Sequence, residues 1–205
     1  MQDGPRHRNQ TFDTASIGGY LSDYASRLAQ ALDGVDKQAL ERAFARIVTA
    51  ADEGRHVYAI GNGGSAAIAD HLCCDWTKGA HHPDHPTLRT HSLAANMALY
   101  SAVANDYGFD AVFARQLDYY GQPGDVLLAI SSSGDSANIL AAVARARALG
   151  MTTIGLCGFG GGQLKTAADI ALHVDAHNYG IVEDAHQALM HVIAQFIQSR
   201  RQTGA

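Results

Sequence analysis

The run Val57-Tyr58-Ala59-Ile60-Gly61-Asn62-Gly63-Gly64-Ser65, continued by Ala66 to Trp76, decides how the whole chain reads. Four mostly apolar residues predict a short buried strand. Asn62 among Gly61, Gly63 and Gly64 predicts a sharp turn. Ser65 is a candidate cap for the helix that the composition of Ala66 to Trp76 predicts. Strand, glycine turn and helix N-terminus together make an anion site: free N–H groups and the positive end of the helix dipole converge there. Further along that helix, His71 and Asp75 are spaced i, i+4 and share a face, as an acid/base or metal-ligating pair would.

Working outward, the strand–turn–helix unit recurs. Asp125 to Ile130 predicts a second buried strand, closed by Ser131-Ser132-Ser133-Gly134-Asp135-Ser136 and followed by an Ala-rich helix from Ala137 to Leu149. Met151 to Cys157 and Ile170 to Val174 predict two further strands, and Thr87 to His91 another. Shorter helices are expected at Asn96 to Ala104 and Asp110 to Tyr120, and a long closing helix at Ile181 to Arg200. Strands alternating with helices predict a doubly wound, three-layer α/β sandwich around a parallel sheet. Before the first strand, Leu21, Tyr24, Leu28 and Leu32, then Leu40, Phe44, Ile47 and Val48, form two helical stripes. They suit either the chain's own sheet or a partner subunit.

Composition bounds the rest. A length of 205 residues suits one domain with an extension, and a net charge of −5 argues against a nucleic-acid surface. No apolar run approaches the length of a membrane span, and Met1 to Asn9 has no signal-peptide core, so a cytoplasmic protein without membrane partners is expected. Three cysteines without metal spacing read as reduced, buried thiols.

Two features carry chemistry beyond the glycine turn. Capping a helix needs one hydroxyl, whereas Ser131, Ser132, Ser133 and Ser136 supply four at one helix N-terminus, which favours a phosphate held by neutral donors. On the closing helix, Glu183, His186 and His191 recur, with Glu183 and His191 about two turns apart on one face.

Gly61-Asn62-Gly63-Gly64-Ser65 with a downstream histidine, Ala104 to Phe109, Gly124 to Leu128 and Ser131 to Ile139 together resemble the sugar isomerase (SIS) domain family, in particular its branch that isomerises heptose phosphates. The resemblance spans nearly the whole chain. It implies a five-stranded parallel sheet, an N-terminal tail and helix over 1–34 that makes oligomer contacts, and an SIS domain over 35–205. It implies a cytoplasmic homotetramer with sites between subunits. The implied reaction, a step of heptose biosynthesis, converts sedoheptulose 7-phosphate to D-glycero-D-manno-heptose 7-phosphate through a cis-enediol. On that reading Asp75 and His191 match the catalytic carboxylate and histidine. Asn62, Gly63, Gly64, Ser65, Asn105, Asp106, Ser131, Ser132, Ser133 and Ser136 would meet substrate. His71, Asp75, Glu183 and His191 match the positions that bind zinc in some members.

Two departures stand out. Asp75 occupies a glutamate position, which withdraws the carboxylate by about 1.5 Å. Glu183 occupies a glutamine position, which adds a charge and a second candidate for the catalytic carboxylate. Two imidazoles and two carboxylates are all acceptable zinc ligands. Without metal, two adjacent carboxylates would raise one pKa. The competing reading is a non-catalytic relative that binds a replication initiator or senses a sugar phosphate. The carboxylates and His191 argue for catalysis.

Overall fold

The computed structural model describes residues 9–12 and 15–203. Helices α1 (Ile17–Asp33) and α2 (Lys37–Asp52) precede strand β1 (His56–Ile60). Helix α3 (Gly64–Cys74) runs into a π-helical turn, Asp75–Gly79, and then β2 (Arg89–Ser92). Helix α4 (Met97–Tyr107), a 3₁₀ turn (Phe109–Ala111) and α5 (Ala114–Tyr120) lead to β3 (Val126–Ser131). The chain closes with α6 (Ala137–Ala148), β4 (Thr152–Cys157), α7 (Leu164–Ala167), β5 (Ile170–His173) and α8 (Tyr179–Thr203).

The five strands are all parallel, in the order β2-β1-β3-β4-β5. Every residue of β3 is buried, as expected of a strand covered on both faces. One face packs against α2, α3 and α8 through Ile47, Leu72, Val182 and Ile193. The other packs against α5 and α6 through Leu117, Ile139 and Val143. The doubly wound α/β sandwich read from the sequence is therefore the fold. The N-terminal segment joins the first of these layers: Phe12 and Ala31 are buried in it, and α1 packs on α8.

Local chemistry explains where elements begin. Asp36 caps α2 by accepting from the Gln38 and Ala39 amides at 2.8 and 3.2 Å, and Ser16 caps α1 by accepting from Gly19. At the far end of the sheet, the buried Asp125 carboxylate accepts from the His56 and Gln122 amides, both at 2.9 Å, and so ties the starts of β1 and β3.

Several boundaries differ from the sequence reading. The helix expected over Asp110 to Tyr120 is split into a 3₁₀ turn and α5, and Gly108 at φ 88° separates the 3₁₀ turn from α4. Helix α4 runs on to Tyr107 and takes Asn105 and Asp106 into its last turn. The second strand covers Arg89–Ser92 rather than Thr87 to His91. All three cysteines are free as expected, but only Cys157 is fully buried, while Cys74 is exposed.

Candidate active site

Strand order reverses between β1 and β3, and in an open parallel sheet the crevice beyond the C-terminal strand ends at such a point is where ligands bind. Both motif turns open there. In the glycine turn, a Cβ on Gly61 would collide with the Ser65 carbonyl, and Gly63 adopts φ 53°. Ser65 does not cap α3. Gly63 is the capping residue, the turn closes through backbone bonds from the Ser65 and Ala66 amides to the Asn62 and Gly63 carbonyls, and Ser65 is buried.

The serine turn uses some of its hydroxyls internally. Ser131 Oγ donates to Ser136 Oγ at 3.3 Å and accepts from the Gly134 amide at 3.2 Å. Ser133 Oγ accepts from the Asp135 amide. Ser132 Oγ is buried without a partner. By this accounting the O–H groups of Ser132, Ser133 and Ser136 remain available to donate. An unpartnered buried hydroxyl is costly unless a ligand completes it. The three open into a cleft of about 170 Å³, lined by Asn62, Ser65, Ser131, Ser132, Ser133 and Ser136 and closed by Tyr179 and Glu183 from α8.

Asn62, expected at the substrate, lines the cleft, and its side chain also makes a contact of its own. It exchanges two hydrogen bonds with Asn138, each 2.9 Å, one in each direction. That reciprocal amide pair clasps the two turns together. Asn138 is buried on the first turn of α6 and was not singled out in the sequence.

The acid/base group assembles between α3 and α8. His71 Nε2 lies 3.4 Å from Asp75 Oδ2, and His191 Nε2 lies 3.3 Å from the same oxygen. The two imidazoles meet edge to face, 5.1 Å between centroids. The backbone around them is pinned: Trp76 is buried, and its indole N–H donates to the Met190 carbonyl at 3.1 Å, one residue before His191. From β2, Thr90 Oγ1 donates to the Cys73 carbonyl. Asp75 begins the π turn, a geometry concentrated at functional sites.

Glu183, expected as a fourth ligand, does not reach this group. Among the described residues, His71, Asp75 and His191 alone form a cluster able to hold a metal, their ligand atoms within 4.8 Å of one another. Two imidazoles and a carboxylate suit zinc, and three protein ligands leave a position open for substrate. The Glu183 carboxylate instead lies over Gly64, where an added Cβ would be 2.6 Å from its Oε2. Burial first, and then the Asp184 charge, push the Glu183 carboxyl above its usual range. Asp184 in turn accepts from Tyr24 of α1 at 2.6 Å.

Gln187, also not singled out in the sequence, places its side-chain nitrogen 3.0 Å from His71 Nδ1 and 3.3 Å from His191 Nε2. It stands four residues from both Glu183 and His191, so the spacing that marked those two marks it as well. His186 faces the other way, into the core, with neither ring nitrogen hydrogen-bonded. Asn105 and Asp106, joined by a 2.8 Å bond, are exposed at the end of α4 and do not line the chain's own cleft.

Residues 20–158 match the SIS domain family model. A phosphoheptose isomerase of Mycobacterium tuberculosis (strain ATCC 25177 / H37Ra) is 40% identical over 166 residues, which is 80% of this chain and 84% of that protein. Among solved structures, the phosphoheptose isomerase of Neisseria gonorrhoeae superposes with a TM-score of 0.81 at 30% identity, covering 89% of this chain and 97% of that one. That of Francisella tularensis gives 0.81 at 31% identity, over 89% and 96%.

Proposed function

The chain belongs to the SIS domain family and is a sugar-phosphate isomerase, and from that premise we propose how it works on sedoheptulose 7-phosphate. The aldose product is D-glycero-D-manno-heptose 7-phosphate. One observation carries the reading. A single helix, α8, presents Glu183 to the serine cleft and His191 to the His71–Asp75 pair. Those positions are about 12 Å apart along the axis, a span that an open-chain seven-carbon phosphate can bridge.

In the proposed mechanism the phosphate lies in the serine cleft. It takes O–H donors from Ser132, Ser133 and Ser136 and backbone N–H groups at the start of α6. The reacting end of the open-chain sugar lies at His71, Asp75 and His191. One group removes the C1 proton of the ketose, giving the cis-enediol. The proton then returns at C2 as the aldehyde forms at C1. Asp75 and His191, 3.3 Å apart, are placed to share that proton traffic, since both reach one small volume. Glu183 faces the sugar between the two ends. Its raised pKa suits a carboxyl that hands a proton to a sugar oxygen.

We propose zinc at His71, Asp75 and His191, whose donor set supports it. Bound there, the ion would polarise the carbonyl and hydroxyl oxygens of the substrate. We further propose a homotetramer whose sites are completed across subunits. Asn105 and Asp106 stand outside their own cleft, and Met97 on the same helix and Tyr107 and Phe109 just after them are exposed. Residues 1–34 would add contacts through Ile17 and Leu21, both largely exposed. Three free thiols suit a reducing compartment, and the proposal places the reaction in the cytoplasm. Among the described residues no helix is long and apolar enough to cross a membrane.

The test is direct. Tag-free protein is incubated with sedoheptulose 7-phosphate and aldose formation is followed, with Glu183→Gln alongside. Turnover that falls in the variant supports the assignment. A wild-type protein inactive on every ketose phosphate tried would return the chain to the class of non-catalytic binding proteins.

A further inference from the structure

Helix α8 brings residues 183, 187 and 191 to one stripe, and each meets a different neighbour. Glu183 lies over Gly64, its Oε2 2.6 Å from where a Cβ on that residue would stand. Gln187 follows one turn along and, like Asp75, is in contact with both imidazoles, at 3.0 Å from His71 and 3.3 Å from His191. We propose that Gln187, not Glu183, completes the His71–Asp75–His191 centre, as the positioning residue that fixes both rings. Glu183 is thereby released to the serine cleft. The role deepens the isomerase reading and rests on it, whereas the contact itself can be tested without any reaction.

The chemistry of a primary amide fits the place. It carries two N–H donors and one carbonyl acceptor in a rigid plane. With the nitrogen inward, one hydrogen goes to His71 Nδ1 and the other to His191 Nε2. The proton of neutral His71 is then left on Nε2, facing Asp75 Oδ2 at 3.4 Å. Turned over, the same amide presents its carbonyl to the Nδ1–H of His71, the outer contact that orients a metal-bound histidine. A carboxylate at residue 187 could only accept, and would bring a second negative charge beside Asp75. An amide therefore serves His71 in either state, as donor or as acceptor. Glu183 lacks this option, because its carboxylate occupies the hollow at Gly64 one full turn away.

The experiment uses full-length, tag-free, ¹⁵N-labelled protein. Long-range proton–nitrogen spectra report the tautomer of each imidazole, and a competition titration reports Zn²⁺ affinity. Gln187→Leu removes the amide at constant length of stem, and Gln187→Met repeats the removal with a more flexible side chain. Both are expected to shift the ring-nitrogen signals of His71 and His191 and to weaken Zn²⁺ binding about 10- to 100-fold. Glu183→Gln is expected to leave both rings unmoved, to leave Zn²⁺ affinity largely unchanged, and to lower turnover of the sugar phosphate. Ring signals that move in Glu183→Gln and stay fixed in both Gln187 variants would overturn the proposal. The spectra need neither substrate nor metal, so an inactive wild type with coupled rings would count against the isomerase reading alone.

Discussion

Helix α8 has two faces, and they treat a histidine in opposite ways. His191 lies on the cleft face, partly exposed, with Asp75 and Gln187 in reach. His186, five residues earlier, faces the sheet and is completely buried, with neither ring nitrogen hydrogen-bonded. Burial outweighs the favourable Cys157 carbonyl and drives the His186 pKa down to about 4. The lesson is that residue type alone does not mark a functional group. What distinguishes the two is the presence of polar partners and an opening to solvent. One face is organised for proton transfer, and the other treats its imidazole as a core side chain.

The strongest challenge to this division is His191→Gln. Loss of a positioned proton-transfer group costs roughly 10²–10⁴-fold in kcat, and thermal unfolding should barely move because the ring is partly exposed. A variant with full turnover would erase the difference between the faces. The buried face responds the other way. Ile193 is 4% exposed, so Ile193→Ala should cost about 2–5 kcal/mol in a denaturant titration, with the folded fraction still turning over.

His186→Leu sharpens the contrast through pH. The unfolded chain takes up a proton at an ordinary histidine pKa near 6.5, whereas folded His186 resists protonation down to about 4. The wild type is therefore most stable above that ordinary value and loses stability as pH falls between the two, by about 3 kcal/mol from this group. Acid titrations of unfolding free energy should show that loss flattened in His186→Leu.

Glu183→Gln should have the smallest effect on stability. Its folded pKa is raised, so the folded state binds the proton more tightly than the unfolded one, and the charged form is the strained one. Removing the charge should stabilise slightly at neutral pH, by under about 1 kcal/mol given partial exposure. The gain should vanish as the pH drops below the ordinary glutamate range.

Much of the fold was legible because its signals are local. Short apolar runs at Val57 to Ile60 and Val126 to Ile130, each bounded by turn residues, read as covered strands, and the two βα turns advertise themselves by glycine and serine. The spacing of His71 and Asp75 placed half of the acid/base group. The remainder depended on contacts between segments distant in sequence. Nothing in the run Asp75 to Gly79 predicts a π turn; it is stabilised by the buried Trp76 reaching α8 and by Thr90 from β2. Glu183 and Gln187 share one stripe, and which of them meets the histidines depends on partners more than a hundred residues away, Gly64 under the one and His71 beside the other. Asn138 looked like an ordinary helix residue until Asn62 was seen to face it.

The Trp76 anchor has a practical consequence. It is the only tryptophan in the chain, buried beside Asp75 and bonded to the residue before His191. Excited near 295 nm, the molecule would emit from one spot alone, at the seam between the two helices that build the centre. Occupation of that centre can thus be followed by intrinsic light emission, without a label.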